Sequence, residues 1–317
     1  MSNNIPSVDL KDFLSTDSNK RNDFVNNIGS AFQEIGFCAV SGHFLSDNLV
    51  DRLYTQIKSF FNLPNEVKCK YENPKYSGQR GYVSFGKESA KGSNHGDLKE
   101  FWHFGQYLND DEINKYNYFP NIEVEELPEF NIVGKEVYQN LEKTAQYVLR
   151  ALALYLNLDE NYFDNYILNG NSILRPIHYP PILKDPKDAV RAAAHGDINL
   201  ITLLMGSHGK GLQVMDTNGN WVDAIAKKDE LMINIGDMLS RHTNNVFKST
   251  VHRVVNPDKE QLKKSRYSIP FFMHPISEMK LDVLDSCISI TNPKAFSDIS
   301  AGEFLNERLI ELGFLKK

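Results

Sequence analysis

The stretch Arg191–Leu204, RAAAHGDINLITLL, decides how the rest of the chain is read. Its second half opens a short β-rich run, Leu200 to Met205, of the length and composition of a buried strand. Its first half carries a histidine and an aspartate two positions apart. In extended backbone, residues i and i+2 point to the same side, so His195 and Asp197 can converge on one ion. Gly196 between them lets the backbone come close. Alone, such a pair is weak, since chance and surface turns produce it too.

Working outward, the chain downstream of Ile173 keeps this β character. Gly211 to Asp216, Trp221 to Ala224, Leu231 to Ile235 and Arg266 to His274 are further strand-like runs between turn signals. Asn218-Gly219 predicts a two-residue hairpin with positive φ at both positions, and Gly236-Asp237 and Asn244-Asn245 predict turns. Upstream the period changes to that of helices. Phe24, Ile28, Phe32 and Ile35 share one face of a helix that stops at Gly36, and Phe37 to Val40 reads as a strand. A second helix starts at the cap Ser46 with Val50, Leu53, Ile57 and Phe60 on its buried stripe. A third carries Val137, Leu141, Ala145, Val148, Leu152 and Leu156, and a final one Phe304, Leu305, Leu309 and Leu312. The expectation is a mainly β protein with flanking helices: a largely helical region over 1–165, a β core over 166–280 and a helical segment over 281–317, packed as one unit around a barrel or jelly roll.

Composition narrows the function classes. With 317 residues, 41% hydrophobic and 24% charged, the chain can bury a sizeable core. A net charge of -6 gives no basic face for nucleic acid. The three cysteines, Cys38, Cys69 and Cys287, are odd in number and never form a C-x-x-C pair. The start of the chain lacks the basic and apolar runs of a signal peptide, and the longest apolar stretch, Tyr147 to Leu156, is too short to cross a bilayer. A cytoplasmic protein with no membrane, nucleic-acid or obligate protein partner is expected, acting on a small molecule.

A mononuclear iron(II) oxygenase needs two imidazoles and a carboxylate on one face, leaving three positions for substrate oxygens and dioxygen. His252, in the middle of the β-branched run STVHRVV, has the right setting for the third ligand. Fourteen residues further on, Arg266 and Ser268 share a strand face. A guanidinium fork with a hydroxyl beside it is what the remote carboxylate of 2-oxoglutarate requires. The bland alternative is a surface arginine, against which Pro270 and Phe272 on the same face argue.

The runs RAAAHGDINLITLL, GLQV (Gly211–Val214), STVHRVVNP (Ser249–Pro257) and RYSIPFFMHP (Arg266–Pro275) resemble the isopenicillin N synthase-like family of iron(II)/2-oxoglutarate-dependent oxygenases. So do Ile5–Leu10, Gly36-Phe37, Arg80–Tyr82 and Asp97–Glu100, so the likeness spans nearly the whole chain. The resemblance implies a double-stranded β-helix whose mouth holds Fe(II) on His195, Asp197 and His252. It implies 2-oxoglutarate on Arg266 and Ser268, with Tyr179 reaching the co-substrate and Asn199 as a further candidate whose alternative is a turn-stabilising amide. Dioxygen would be consumed with release of succinate and carbon dioxide as a small polar metabolite is hydroxylated, desaturated or cyclised. Arg80, Tyr82 and Glu88, in a loop that can cover the site, and Arg175 and Phe272 are the candidates for binding that substrate. For each charged one the alternative is a surface salt bridge, and for Phe272 plain core. His242 is expected in an exposed turn. Three rivals share features with this reading: an iron oxidase of the same fold that does not use 2-oxoglutarate, a non-catalytic binding or sensing module, and a zinc hydrolase, for which Arg266 has no use.

Overall fold

The structure is a computed structural model that describes residues 5–87, 97–182, 191–205, 211–255 and 262–311. Its strands, in chain order, are β1 (Ser7–Asp9), β2 (Phe37–Ser41), β3 (Gly81–Val83), β4 (Glu100–His103), β5 (Ile173–Leu174), β6 (Ile177–Tyr179), β7 (Ala192–His195), β8 (Ile201–Met205), β9 (Leu212–Met215), β10 (Trp221–Asp223), β11 (Leu231–Ile235), β12 (His252–Val254) and β13 (Arg266–Met273). They form two sheets. The larger runs β1-β2-β11-β8-β13-β6-β4-β3, with β5 beside β13; the smaller runs β10-β9-β12-β7. Phe37, Ala39 and Met232 of the larger sheet cluster with Val214 of the smaller, which joins the two layers. This is the jelly-roll arrangement expected, with helices packed outside the larger sheet.

The helices follow their apolar stripes. Asp17 caps the helix Ser18–Glu34 by accepting from the backbone N–H groups of Asn19 and Lys20, and Phe24, Ile28 and Phe32 are buried along it. The chain then turns at Gly36, whose φ of +78° and approach to the Lys248 carbonyl leave no room for a side chain. Ser46 caps Asp47–Phe61 through the Leu49 N–H, although Val50 on its stripe is only half-buried. The long helix Pro128–Tyr155 starts earlier than the Val137 stripe predicts, because Pro128 opens it and Phe130 and Val133 extend the buried face. All three helices contribute to one buried cluster with Leu203, Ile233, Ile269 and Phe271 of the sheet.

Three local expectations are corrected. The β9–β10 connection spans the five residues between Met215 and Trp221, among which only Gly219 takes positive φ (+81°). Asp216 Oδ1 accepts from the Asn218 and Asn220 N–H groups and holds that wider turn. Gly236 precedes the helix Asp237–His242 instead of forming a turn. That helix buries His242, 3% exposed and hydrogen-bonded to Tyr162, where an exposed turn was expected. The Asn244-Asn245 turn is present, with φ of 51° and 62°. The last described helix, Ala301–Glu311, carries Phe304, Leu305 and Leu309; Leu312 lies outside the described residues.

Candidate metal centre and cavity

The smaller sheet brings two histidines together. β7 ends at His195 and β12 begins at His252, and the two residues are paired in register with ring centroids 4.5 Å apart. His252 starts its strand rather than sitting in mid-strand. The preceding side chains bond elsewhere, Ser249 to Asp237 and Thr250 to the Ile35 carbonyl. Asp197 follows β7, and its Oδ1 lies 3.9 Å from His252 Nε2. One atom from each of His195, Asp197 and His252 falls within 4.8 Å of the others, the one group of this kind among the described residues.

What surrounds these atoms fixes which of them face inward. His195 Nδ1 lies 2.7 Å from the Ala193 carbonyl oxygen, and His252 Nδ1 lies 3.2 Å from that of Thr250. A carbonyl can only accept, so each Nδ1 carries the proton and each Nε2 keeps its lone pair for the shared centre. The edge of Phe37 packs on His252 at 5.6 Å. Asp197 Oδ2 accepts from Thr202 Oγ1 at 2.6 Å and from Asn234 Nδ2 at 2.8 Å, which leaves Oδ1 for the centre. Thr202 on β8 and Asn234 on β11 are themselves paired across strands, so the larger sheet orients a ligand of the smaller one. Loss of hydration beside the surrounding side chains, then the neighbouring His252, lower the pKa of His195. Burial would raise Asp197, but His252, His195, Asn234 and Thr202 outweigh it and hold the carboxyl below its usual range. Neutral nitrogens and one carboxylate oxygen, with open space beside them, suit an octahedral ferrous ion.

Arg266 and Ser268 sit on β13, each 5% exposed. Arg266 pairs in register with Tyr179 on β6, and its guanidinium carbon lies 5.0 Å from the centre of the Tyr179 ring. The three residues expected at the co-substrate are thus brought together. Asn199 is among the walls of the cavity beside the centre, and its amide donates to the Ile201 carbonyl and to Thr202, as the turn-stabilising alternative has it.

A cavity of 260 Å³ opens beside the centre, and His195, Asp197, Arg175, Phe101, Phe272 and His274 are among its walls. Arg175 lies over both aromatic rings, 4.6 Å from Phe101 and 5.1 Å from Phe272, and its Nε donates to His103 Nε2. Arg80 and Tyr82 do not line it. Arg80 is 1% exposed and bonds the Gln79 carbonyl and Asn171, having folded inward against Gly105. The Tyr82 hydroxyl bonds Glu100, which also binds Lys68 and His178 in a buried cluster. Glu88 lies outside the described residues. Missed from the sequence were Thr202, Asn234, His103 and His274, and the cavity contacts of Leu305 and Leu309 from the final helix.

Residues 5–126 match the family described as the non-haem dioxygenase in morphine synthesis N-terminal region, and residues 165–275 match the 2OG-Fe(II) oxygenase superfamily. A 2-oxoglutarate-Fe(II) type oxidoreductase of Emericella nidulans is 31% identical over 292 residues, 89% of this chain and 82% of the relative. The crystal structure of a 2OG-Fe(II) oxygenase family protein from Caulobacter crescentus is similar at a TM-score of 0.88 and 41% identity, covering 97% of this chain and 99% of that one. A full-length Neurospora crassa protein in complex with alpha-KG superposes at 0.85, with 28% identity over 98% of this chain and 97% of its own, and the same protein has been crystallised with alpha-KG and thymine. With the jelly roll and a His-Asp-His centre in place, the chain belongs to the 2OG-Fe(II) oxygenase superfamily, as an Fe(II)- and 2-oxoglutarate-using oxidoreductase.

Proposed function

We propose that His195, Asp197 and His252 hold the iron, that Arg266, Ser268 and Tyr179 receive 2-oxoglutarate, and that the enzyme oxidises a small polar metabolite in the cavity walled by Arg175 and Phe272. The observation that carries this reading is the convergence of the three ligand atoms within 4.8 Å at the edge of that cavity. Bound iron supplies dioxygen activation, coupled to oxidative decarboxylation of 2-oxoglutarate to succinate and carbon dioxide. The chain's own residues do the rest. The two Nδ1–H groups fix the imidazoles, Thr202 and Asn234 fix the carboxylate, and Phe101 and Phe272 keep the reaction space apolar on one side. Arg175, lying over those rings, supplies a cation for a substrate with an acceptor group and a flat or apolar body, the description that thymine meets in the Neurospora crassa relative. Residues 166–280 form the catalytic core in this reading, with the flanking segments bracing it. Among the described residues no helix is long and apolar enough to cross a membrane, and we place the enzyme in the cytoplasm.

The test is a panel of small heterocyclic and amino-acid-like metabolites assayed for substrate-stimulated succinate release and matched oxygen uptake. Stoichiometric succinate with at least one of them is expected. Oxygen uptake without succinate would instead identify an oxidase that bypasses 2-oxoglutarate. Arg266→Ala should raise KM for 2-oxoglutarate, lowering kcat/KM by about 2–3 kcal/mol, the scale of charge-assisted hydrogen bonds, while iron stoichiometry is unchanged.

A further inference from the structure

Arg191 stands directly before β7 and is 2% exposed. Among the described residues, its Nε and Nη2 atoms have no hydrogen-bond partner. Its guanidinium carbon lies 5.6 Å from the centre of the Tyr179 ring, the same ring that Arg266 covers at 5.0 Å. Burial lowers its pKa, Arg266 lowers it further, and Tyr179 opposes the shift; among the described residues no carboxylate is a named cause. Two cations held against one phenol ring are costly. Arg191 has left water, the two repel one another, and a ring face returns Arg191 only a small part of its lost hydration.

We propose that Arg191 is a second cation of the co-substrate slot, which grips the distal carboxylate of 2-oxoglutarate together with Arg266 and Ser268. This rests on the reading of Arg266 and Ser268 given above. A carboxylate has two oxygens and about four acceptor directions, enough for two guanidinium groups and one hydroxyl. The anion relieves the repulsion between the arginines and satisfies the orphaned nitrogens of Arg191. Such a slot selects a 2-oxo acid with a second negative charge and rejects one that ends in a methyl group.

The experiment compares the parent, Arg191→Met and Arg191→Lys, each loaded anaerobically with Fe(II). Each is titrated with 2-oxoglutarate and with 2-oxopentanoate, which has the same chain length without the distal carboxylate, following the visible charge-transfer band. Arg191→Met is expected to weaken 2-oxoglutarate by roughly 10- to 100-fold, the range of a charge-assisted hydrogen bond, and to leave 2-oxopentanoate unchanged. Arg191→Lys, which keeps the charge and loses the fork, should fall between. Thermal melting gives a second readout. Without iron or co-substrate, Arg191→Met should melt at or above the parent, since an unpaired buried cation is gone, while the upward shift that 2-oxoglutarate gives the parent shrinks. Equal affinity of parent and Arg191→Met for 2-oxoglutarate overturns the proposal. So does an equal loss for both oxo acids, which marks a structural role. A parent that binds no 2-oxoglutarate overturns the underlying reading of Arg266, and this proposal with it.

Discussion

At the metal end of the cavity, each ligand has its outward polar atom committed: two Nδ1–H groups to backbone carbonyls, one carboxylate oxygen to Thr202 and Asn234. At the other end the walls come from β4, β5, β13 and the final helix, and polar groups such as Arg175 and His103 bond one another across strands. The first end is specified by coordination chemistry, which accepts few residue types in one geometry. The second is specified by whatever molecule it must fit. A ligand set is therefore portable between proteins, while a substrate pocket belongs to one protein.

The largest effect that can break this contrast is at the metal. His252→Ala should lose iron and reduce succinate formation to background, because two remaining ligands on one sheet edge no longer make a facial set. Metal stoichiometry by elemental analysis checks it. Full iron content in this variant would mean the centre is held by other side chains, and the two ends would no longer differ as described.

The same contrast explains what the sequence made legible. His195, Asp197 and His252 could be read because the H-x-D pair, weak alone, occurs together with a histidine in a β-branched run, and Arg266 with Ser268 because strand parity puts them on one face. The three long helices showed as 3.6-residue stripes. Arg80 and Tyr82 went astray for a physical reason: an arginine beside glycines reads as a loop charge, yet Gly105 leaves a gap that the guanidinium fills. Thr202 and Asn234 were hidden since their bond to Asp197 depends on the pairing of β8 with β11, which no local pattern encodes. The wide β9–β10 turn was hidden because the Asp216 carboxylate, outside the Asn-Gly pair, sets its size.

At the substrate end, His274 offers a test by pH. Burial first, then Arg175 and Arg80, push its pKa from 6.5 down to about 4, against an opposing pull from Asp197, and its Nδ1 has no partner among the described residues. The folded protein therefore keeps this ring neutral in a range where the unfolded chain protonates it. Stability from this group is complete above pH 6.5, falls as the pH drops toward 4 and then levels off, a loss on the order of 3 kcal/mol. Urea melts of the metal-free protein between pH 7 and pH 4 should show a steeper decline than those of His274→Gln. Parallel curves would place His274 in a wetter setting than the cavity wall.

The smallest predicted effect probes the support of the metal end alone. Thr202→Val keeps the volume and strand propensity of the side chain but removes the donor to Asp197 Oδ2, leaving Asn234 as its one side-chain donor. The carboxylate then gains freedom to rotate, and its inward oxygen is no longer singled out. Loss of such an outer contact costs roughly 10- to 100-fold in metal affinity. Competition of Fe(II) against a chelator of known strength measures this directly. Because Thr202 spends its hydroxyl on Asp197 and Asn199, KM for 2-oxoglutarate at saturating iron should stay within about twofold of the parent's, as expected of independent sites. A large rise in that KM would show that the two ends of the cavity communicate through β8, and that the metal centre and substrate pocket are built as one device.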